Sequence, residues 1–486
     1  MTATLPPVPH EAARFDALLD NPILNTDSYK ASHWLQYPPG ADAMFSYVES
    51  RGGEYDRTVF FGLQMLLRTR LSRPVTHAMV DQARDFFAAH GEPFNEAGWR
   101  RLVDRHGGRL PVRIRAVPEG SVVPVGHALM TIECEAPGLF WLASYLETAL
   151  LRIWYPITVA TQSWHMRRVM RRCVEQSCDT LDALPFMLHD FGARGVSSAE
   201  SAAIGGAAHL VSFRGSDTVQ GVLAANLYYD EPMAAWSVPA AEHSTITAWG
   251  RDGEHDAFRN MLARFARPGA VVSVVSDSYD LFAALDAWGG PLKQAVIDSG
   301  AVLVIRPDSG DPMRIVPYAI DTLARHFGTR CNTRGYKVLN HVKVLQGDGV
   351  DAASIERLLA ALIADGYAAD NVVFGIGGAL LQRVHRDTQR FALKCSAIRV
   401  DGAWREVYKD PLTDASKRSK RGRLSLLRRD DASAYETVAL GDEGLAPRAG
   451  WHEALHTVFE DGRLVGTQRF AEVRARAEAA DRDIAF

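Results

Sequence analysis

Charged, polar or glycine residues follow each of seven apolar segments in the middle of the chain, where buried strands would end. One aspartate in such a place is usually a helix cap, but repetition after seven segments is better explained by a shared cleft, because the carboxyl ends of parallel strands meet at one edge. The sequence therefore predicts an active site there. The residues are His189, Asp190, Phe191, Arg194, Asp217, Glu242, His243, Ser273, Ser276, Asp277, Arg306, Asp308, Gly347, Asp348, Gly377 and Gly378.

Two of these segments have residues that suit the binding of phosphate or of sugar hydroxyls. In FGIGGALLQ, Gly377 and Gly378 stand where free N–H groups and a helix dipole can hold an anion, although a tight turn explains them equally well. Leu380 replaces the third glycine of a dinucleotide fingerprint. In IRPDSGDP, Arg306 offers a guanidinium to phosphate and Asp308 a carboxylate to sugar hydroxyls. We favour that interpretation over a simple ion pair, since alternate strand residues point the same way.

Two further features are ambiguous when each is considered alone. His243 follows Glu242 in AAEHST, and a single histidine is usually structural or merely exposed. Its functional interpretation depends on the other strand-end residues. The basic segment KRSKRGR, which begins at Lys417, fits a phosphate-closing loop and a solvated surface loop equally well.

The periodicity of the chain predicts the elements that position these residues. From about Pro185 to Leu380, apolar segments alternate with helical stretches, which is typical of a parallel sheet covered on both faces and here favours a closed barrel. Before and after this region, apolar and polar residues alternate as in antiparallel strands. We predict an α/β fold with an irregular catalytic barrel at 151–389 and a discontinuous β-rich domain, with helices, from 1–150 and 390–486.

The composition excludes several classes of protein. The chain has 486 residues, of which 47% are hydrophobic and 23% charged, as in ordinary globular proteins. A net charge of −4 gives no general attraction to nucleic acid or to an anionic membrane. The longest apolar stretch, PGLFWLASYLETALLRIWYP, contains Glu147 and Arg152 and has helical spacing, so we predict a buried amphipathic helix rather than a membrane span.

Cysteine usage and the N-terminal residues indicate a compartment. The five cysteines contain no CxxC pair and do not suggest a disulfide framework. The segment MTATLPPVPHEAARFDALLD lacks the basic and apolar regions of a secretory signal. We therefore expect a cytoplasmic protein with reduced thiols.

Eight motifs of the chain resemble the nicotinamide phosphoribosyltransferase family in order and spacing, from about Asn21 to the final helix. They are TDSYKASHWLQYPPG, LHDFGARGVSS, GSDTVQG, SVPAAEHSTITAWG, VSDSYD, IRPDSGDP, QGDGVD and KDPLTDASKRSKRGRLSL. The resemblance implies a type II phosphoribosyltransferase fold and a homodimer with two active sites across its interface. It also implies a reaction of nicotinamide with phosphoribosyl pyrophosphate, which gives nicotinamide mononucleotide and pyrophosphate in NAD salvage.

The same resemblance implies roles for single residues around the sugar and the phosphates. Asp308, Gly347 and Asp348 match ribose-binding positions. Gly377 and Gly378 match the backbone site for the 5′-phosphate of the product. The expected pyrophosphate and phosphate contacts are Arg51, Arg194, Arg306, Lys409 and Lys417, with Arg386 and Lys394 contributed by the other chain of the dimer.

For the base, the resemblance implies a slot between Phe191 and, from the other chain, Tyr29. Asp217 would accept from the carboxamide NH₂ and would repel nicotinate, and Ser273 would make a second polar contact. His243 matches the histidine that the family phosphorylates with ATP, with Glu242 orienting it, so ATP is expected as a co-substrate. Mg²⁺ is expected through the substrate phosphates, with no protein ligand to the metal.

The chain departs from the family pattern at Ile376 and Ala379 in the glycine-rich turn, at Ala392 in place of a hydroxyl residue, and in a short stretch between Glu49 and Thr58. Two alternatives stay open. A nicotinate phosphoribosyltransferase would share the fold without an acid opposite the carboxyl group. A non-catalytic signalling protein would not need the full set of charged strand-end residues.

Overall fold

The computed structural model describes residues 20–413, 418–431, 434–441 and 444–483. The chain folds into two compact units, of which the first comprises Met1–Thr161 and His385–Phe486 and the second Gln162–Val384. One division lies inside the helix Trp154–Ser177 rather than at residue 150, because Ile157 near the start of this helix packs in the core of the first unit. The other lies just before His385 rather than at residue 390.

A seven-stranded antiparallel sheet forms the centre of the first unit. Its two longest strands, Ala41–Ser50 and Phe391–Val400, pair along their lengths although they come from opposite halves of the chain. From edge to edge the strands are Ala403–Glu406, Phe391–Val400, Ala41–Ser50, Ala128–Cys134, Arg113–Ala116, His456–Glu460 and Arg463–Leu464. Two smaller sheets comprise Tyr435–Ala439, Leu424–Arg429 and Trp451–Glu453, and Arg57–Val59 with Val122–Pro124.

The helices of the first unit pack on one apolar core that includes Met44, Trp99, Leu142 and Phe459. The stretch predicted as one buried helix is buried but broken, since the short helices Leu142–Tyr145 and Glu147–Leu151 precede Trp154–Ser177. The other helical segments are Pro22–Leu24, Ser28–Leu35, Leu63–Leu66, Leu67–Leu71, His77–His90, Glu96–His106, Arg386–Thr388 and Phe470–Asp483. No helix in the described ranges is long and apolar enough to cross a membrane.

A curled sheet of six parallel strands forms the second unit. Val272, Val344 and Phe374 are fully buried because helices cover one side of such strands and a packed interior the other. From edge to edge the strands are Gly215–Ser216, Leu188–Asp190, Val372–Ile376, Val342–Gln346, Val302–Arg306 and Val271–Val275. The predicted α/β fold class with a barrel-like parallel sheet is therefore confirmed.

The segment between Trp236 and Ala240 joins the two edges of this curled sheet. Trp236 forms a parallel bridge with Gly215, and Ala240 forms one with Ser273. The short segment WSVPAAEHS, one of the seven apolar segments that we expected to form strands, makes only these isolated bridges, because Pro239 has no N–H to donate to a longer ladder. Another of the seven segments, HLVSFRGSD, contains only the short strand Gly215–Ser216, because its first residue, His209, ends a helix.

Helices follow the strands of the second unit. Because the strands are parallel, their carboxyl ends lie at the same edge of the sheet. The short helix His243–Thr247 begins directly after the bridging segment. The remaining helices are Ala199–His209, Val219–Tyr229, Glu254–Phe265, Leu281–Gly289, Lys293–Ser299, Pro312–Phe327, Ala352–Ala364 and Gly378–Leu381, with helical turns at Leu184–Phe186, Ala193–Gly195 and Ala369–Asn371. A small hairpin, Thr329–Cys331 with Lys337–Leu339, stands apart from the main sheet.

Candidate active site

The parallel sheet of the second unit encloses a cavity of about 1030 Å³ whose wall includes residues at the carboxyl ends of its strands. The structure brings twelve of the predicted residues to its wall. They are His189, Phe191, Arg194, Asp217, Glu242, Ser273, Arg306, Asp308, Gly347, Asp348, Gly377 and Gly378. Helix capping accounts for other aspartates: Asp280, Asp311 and Asp351 each accept from backbone N–H groups at a helix start.

An aromatic face is built into one wall by the close approach of two strands. The N–H of Phe191 donates to the carbonyl of Ile376 at 2.9 Å, which fixes the residue beside the neighbouring strand. Its ring lies against Gly375, where an added Cβ would be 2.0 Å from the ring. Gly375 is therefore required for the position of the ring, and not for the tight turn that glycine at this segment suggested.

Asp217 is held from two sides at the end of its short strand. Its N–H donates to the carbonyl of Asp190 at 2.9 Å, and its carboxylate accepts from the Ser237 hydroxyl. His189 lines the cavity nearby, with its ring so close to Gly215 that a Cβ there would be 2.6 Å away. Burial lowers the pKa of His189, while the charge of Asp217 acts in the opposite direction. An imidazole with a lowered pKa and a carboxyl acceptor therefore line the same cavity.

Arg306 and Asp308 lie together after the fifth predicted strand. Arg306 Nε is 3.6 Å from Asp308 Oδ1, and the side chain of Arg306 is mostly buried. The N–H of Asp308 donates to Asp277 Oδ2 at 2.9 Å. A Cβ at Gly347 would be 3.2 Å from Asp308 Oδ1, so glycine leaves room for this carboxylate. The arrangement presents a cation and a fixed carboxylate at one point on the wall.

His243 contacts Asp277. The sequence analysis included Asp277 among the strand-end residues but gave it no role. The imidazole Nε2 is 3.2 Å from Asp277 Oδ1, and the Asp277 side chain is almost fully buried while the ring is about half exposed. We expected Glu242 to orient His243. Glu242 instead accepts from the Ser244 hydroxyl, and its N–H donates to Thr245 Oγ1 at 3.3 Å. Consecutive residues at a helix start point in different directions, and the contact to His243 comes from a residue 34 positions away that follows the strand Val271–Val275.

The glycine turn and the Arg194 turn pack directly on each other. A Cβ at Gly195 would lie 2.8 Å from the Cα of Gly378, so position 195 must be glycine for this approach, whereas a Cβ at Gly378 would be 3.4 Å from the nearest atom of Gly195. The helix that starts at Gly378 has only four residues and ends at Leu381. The expected contribution of a helix dipole is therefore small, and exposed backbone N–H groups carry what anion binding this turn supplies.

The predicted contacts that come from the two ends of the chain belong to the first unit. Tyr29 is 56% exposed and makes an edge contact with His33. Arg386 pairs with the adjacent Asp387 at 3.1 Å. Lys394 lies on the central sheet opposite Tyr47. Lys417 lies outside the described residues, and the backbone of Lys409 donates to Ser419 Oγ at 2.9 Å.

A buried carboxylate in the first unit was missed by the sequence analysis. Glu49, 3% exposed, accepts from Arg51 Nε at 2.9 Å and pairs with Lys420 of the basic segment. A buried carboxylate needs such partners. Glu49 therefore brings Arg51 and the KRSKRGR segment together, although they are far apart in sequence. The sequence did not reveal this role, because almost every residue of the strand Ala41–Ser50 is buried and the burial of Glu49 does not follow from an alternating pattern.

No group of three or more histidine, cysteine, aspartate or glutamate side chains suited to a metal ion occurs within the described part of the chain.

Two family models match the sequence. The nicotinate phosphoribosyltransferase family matches residues 186–463, and the N-terminal domain of nicotinamide phosphoribosyltransferase matches residues 21–114. The chain is 60% identical over 464 residues to the nicotinamide phosphoribosyltransferase of Xanthomonas campestris pv. campestris (strain 8004), covering 95% of this chain and 99% of that one. It is 32% identical to that of Acinetobacter baylyi (strain ATCC 33305 / BD413 / ADP1), covering 94% and 97%.

Solved structures show the same fold at low identity. Human nicotinic acid phosphoribosyltransferase superimposes with a TM-score of 0.64 at 19% identity, over 95% of this chain and 94% of that one. Nicotinate-nucleotide pyrophosphorylase from Pyrococcus furiosus gives 0.63 at 16% identity, over 98% and 100%. Together with the sequence relatives, these matches show that the chain belongs to the nicotinamide phosphoribosyltransferase family, whose fold is that of the type II phosphoribosyltransferases.

Proposed function

We propose that this chain transfers phosphoribosyl from phosphoribosyl pyrophosphate to nicotinamide in NAD salvage. The observation that carries the proposal is one cavity that combines an aromatic face, an acidic acceptor and two guanidinium groups, in a chain of this family. These are Phe191, Asp217, Arg194 and Arg306. The products are nicotinamide mononucleotide and pyrophosphate.

The pyridine ring stacks on Phe191, and its carboxamide NH₂ donates to Asp217. Ser273, which is 3% exposed and lines the same cavity, supplies a second polar contact. The Ser237 hydroxyl already occupies one side of the Asp217 carboxylate and limits its rotation. A nicotinate carboxylate in this position would face the negative charge of Asp217, and this repulsion favours the amide.

The condensation needs no protein nucleophile. The lone pair of the pyridine nitrogen forms the bond to the ribose C1, the bond from C1 to the pyrophosphate oxygen breaks, and its electron pair leaves with pyrophosphate. Positive charge develops on the sugar, where Asp308 and Asp348 are placed to stabilise it, while Arg194 and Arg306 stabilise the leaving group. Asp277 fixes the backbone of Asp308 at 2.9 Å and so holds that carboxylate in place.

Mg²⁺ belongs to the proposal as a cation held by the pyrophosphate oxygens and water, where it would neutralise charge on the substrate. The acidic side chains on the cavity wall that fit an outer contact to such an ion are Asp308 and Asp348.

We also propose that His243 accepts the γ-phosphoryl group of ATP. Since Asp277 is a carboxylate, Nε2 of the imidazole must donate to it, and the lone pair then remains on Nδ1. Nδ1 forms the bond to phosphorus, and ADP leaves with the electron pair of the broken phosphoanhydride bond. The half-exposed ring is accessible to such a co-substrate.

The site is completed, in this proposal, by a second copy of the chain in a homodimer that contributes Tyr29, Arg386 and Lys394. The large exposed fraction of Tyr29 is consistent with a ring that serves another chain. The five free thiols suit a reducing compartment, which supports a reaction in the cytoplasm.

The proposed activity is tested by incubating the purified chain with phosphoribosyl pyrophosphate and nicotinamide, with and without ATP. Equal amounts of pyrophosphate and nicotinamide mononucleotide should form without ATP, and ATP should raise the yield. No product under either condition would reject the proposal. The same incubation with nicotinate in place of nicotinamide tests the second candidate, a nicotinate phosphoribosyltransferase. If product forms with nicotinate but not with nicotinamide, this candidate is favoured, and the family match over residues 186–463 supports it.

A further inference from the structure

Asp190 is a fully buried carboxylate that the proposed reaction does not use. It ends the strand Leu188–Asp190 and has no exposed surface. Burial raises its pKa to about 6, the nearby charge of Asp217 adds to this effect, and the Gly192 N–H and the Thr218 hydroxyl oppose it. A buried acid is costly unless its contacts serve the fold or the site, so its neighbours identify its role.

The side chain of Asp190 holds the turn that carries Phe191 and Arg194. Its Oδ1 accepts from the buried N–H of Gly192 at 2.7 Å. The carbonyl of Gly192 in turn accepts from the N–H of Gly195 at 2.8 Å, which closes the turn around Arg194. Gly192 is packed tightly, since an added Cβ would lie 2.8 Å from the Leu381 side chain.

The backbone of Asp190 holds the opposite side of the proposed base slot. Its carbonyl accepts from the N–H of Asp217 at 2.9 Å, and the residue pairs with Ser216 and Ile376 on the two flanking strands. One residue therefore connects the aromatic face to the acidic acceptor. Asp190 Oδ2 and Thr218 Oγ1 are both buried, and neither makes a hydrogen bond of normal geometry within the described residues.

We propose that Asp190 is a positioning residue for the pyridine base, whose Oδ1 bond to Gly192 sets the position of Phe191 relative to Asp217. The inference rests on the proposed nicotinamide site. Only an acceptor at Oδ1 is required for this role, and a charge is not. Asp190→Asn keeps that acceptor, whereas Asp190→Leu keeps the branched shape and leaves the Gly192 N–H unpaired.

The test measures kcat and the KM values for nicotinamide and phosphoribosyl pyrophosphate in both variants. Asp190→Leu should raise the KM for nicotinamide by about tenfold or more, as expected for a buried donor left unpaired, and Asp190→Asn should stay within about threefold of the wild type. Thr218→Val, which removes the other side-chain hydroxyl that acts on the Asp190 carboxyl without touching the Gly192 bond, is the matched control and should leave the KM for nicotinamide unchanged.

A purely structural role would lower the melting temperature or the yield of Asp190→Leu without moving the KM for nicotinamide, and that result would overturn the proposal. A loss in Asp190→Asn as large as in Asp190→Leu would also overturn it, because the acceptor would then not be the determinant. Asp190→Ala replaces Asp190→Leu if the latter does not fold. If neither folds, the KM of Asp190→Asn for nicotinamide decides, and a value more than about threefold above the wild type would overturn the proposal. An inactive wild type would instead reject the proposed function itself.

Discussion

Asp217 is the side chain on which the choice of substrate depends in our account. Replacing it in Asp217→Asn should raise the KM for nicotinamide and narrow or reverse the preference over nicotinate, because a charged acceptor worth about 1.5–3 kcal/mol is lost together with its repulsion of a carboxylate. The measurement is kcat/KM for each base.

The variant Ser237→Ala provides the matched comparison for Asp217→Asn. It removes the hydroxyl that donates to Asp217 but keeps the charge. We expect a smaller loss with nicotinamide and an unchanged preference between the two bases. If Asp217→Asn keeps the wild-type selectivity, Asp217 does not contact the carboxamide.

His243 and Asp277 together should determine the response to ATP. His243→Ala should abolish ATP hydrolysis and the ATP-dependent gain in product, while the condensation without ATP continues at a reduced level, because Arg306, Asp308 and Phe191 remain. Protein incubated with γ-labelled ATP should carry an acid-labile, base-stable phosphate in the wild type only.

A second histidine gives the control for this experiment. His255 is exposed on the helix Glu254–Phe265, and His255→Ala should label like the wild type. Labelling of His243→Ala to the wild-type level, or a wild type that ATP does not stimulate, would contradict the role of His243 as phosphoryl acceptor.

The strand Val372–Ile376 contributes space to the site rather than a functional side chain. In Gly375→Ala the new Cβ would lie 2.0 Å from the ring of Phe191, so the ring must move. The backbone of Gly375 does not have positive φ, and we therefore expect a folded protein with a nicotinamide KM raised by about tenfold or more.

A double-mutant cycle with Phe191→Ala separates this cause from a general disturbance of the strand. If displacement of the ring is the whole effect, Gly375→Ala should cause almost no further rise in the KM for nicotinamide when Phe191 is already alanine. Additive losses would show that Gly375 acts on something other than Phe191. Circular dichroism and melting temperature confirm that each variant is folded.

Val302–Arg306 and Val342–Gln346 are mostly apolar and have buried centres, and functional residues lie at or directly after their carboxyl ends. The bridging segment at Trp236–Ala240 was predicted wrongly, because isolated bridges leave no regular pattern. The pairing of His243 with Asp277 depends on which strands become neighbours, and periodicity does not contain that order. The role of Gly375 could not be predicted for the same reason, since glycine in this segment of the sequence indicates only a turn.

At the level of the assembled protein, the proposed homodimer predicts complementation between inactive chains. Tyr29→Ala and Phe191→Ala should each be nearly inactive, but a mixed dimer would contain one site with both aromatic residues intact and should recover part of the activity. Mixing Tyr29→Ala with Arg386→Ala gives the control, because each site would then still carry one substitution. If the mixture of Tyr29→Ala and Phe191→Ala recovers no activity, with mixed dimers verified by mass, the result would count against a site shared between chains.

The most direct measurement for the central claim is a competition in one tube. Wild-type protein receives phosphoribosyl pyrophosphate with nicotinamide and nicotinate at equal concentration, and the two mononucleotides are separated and quantified at early times. Their ratio equals the ratio of kcat/KM for the two bases. Our account requires nicotinamide mononucleotide in large excess, because Asp217 accepts from the amide and repels the acid. Equal amounts, or an excess of nicotinate mononucleotide, would contradict it.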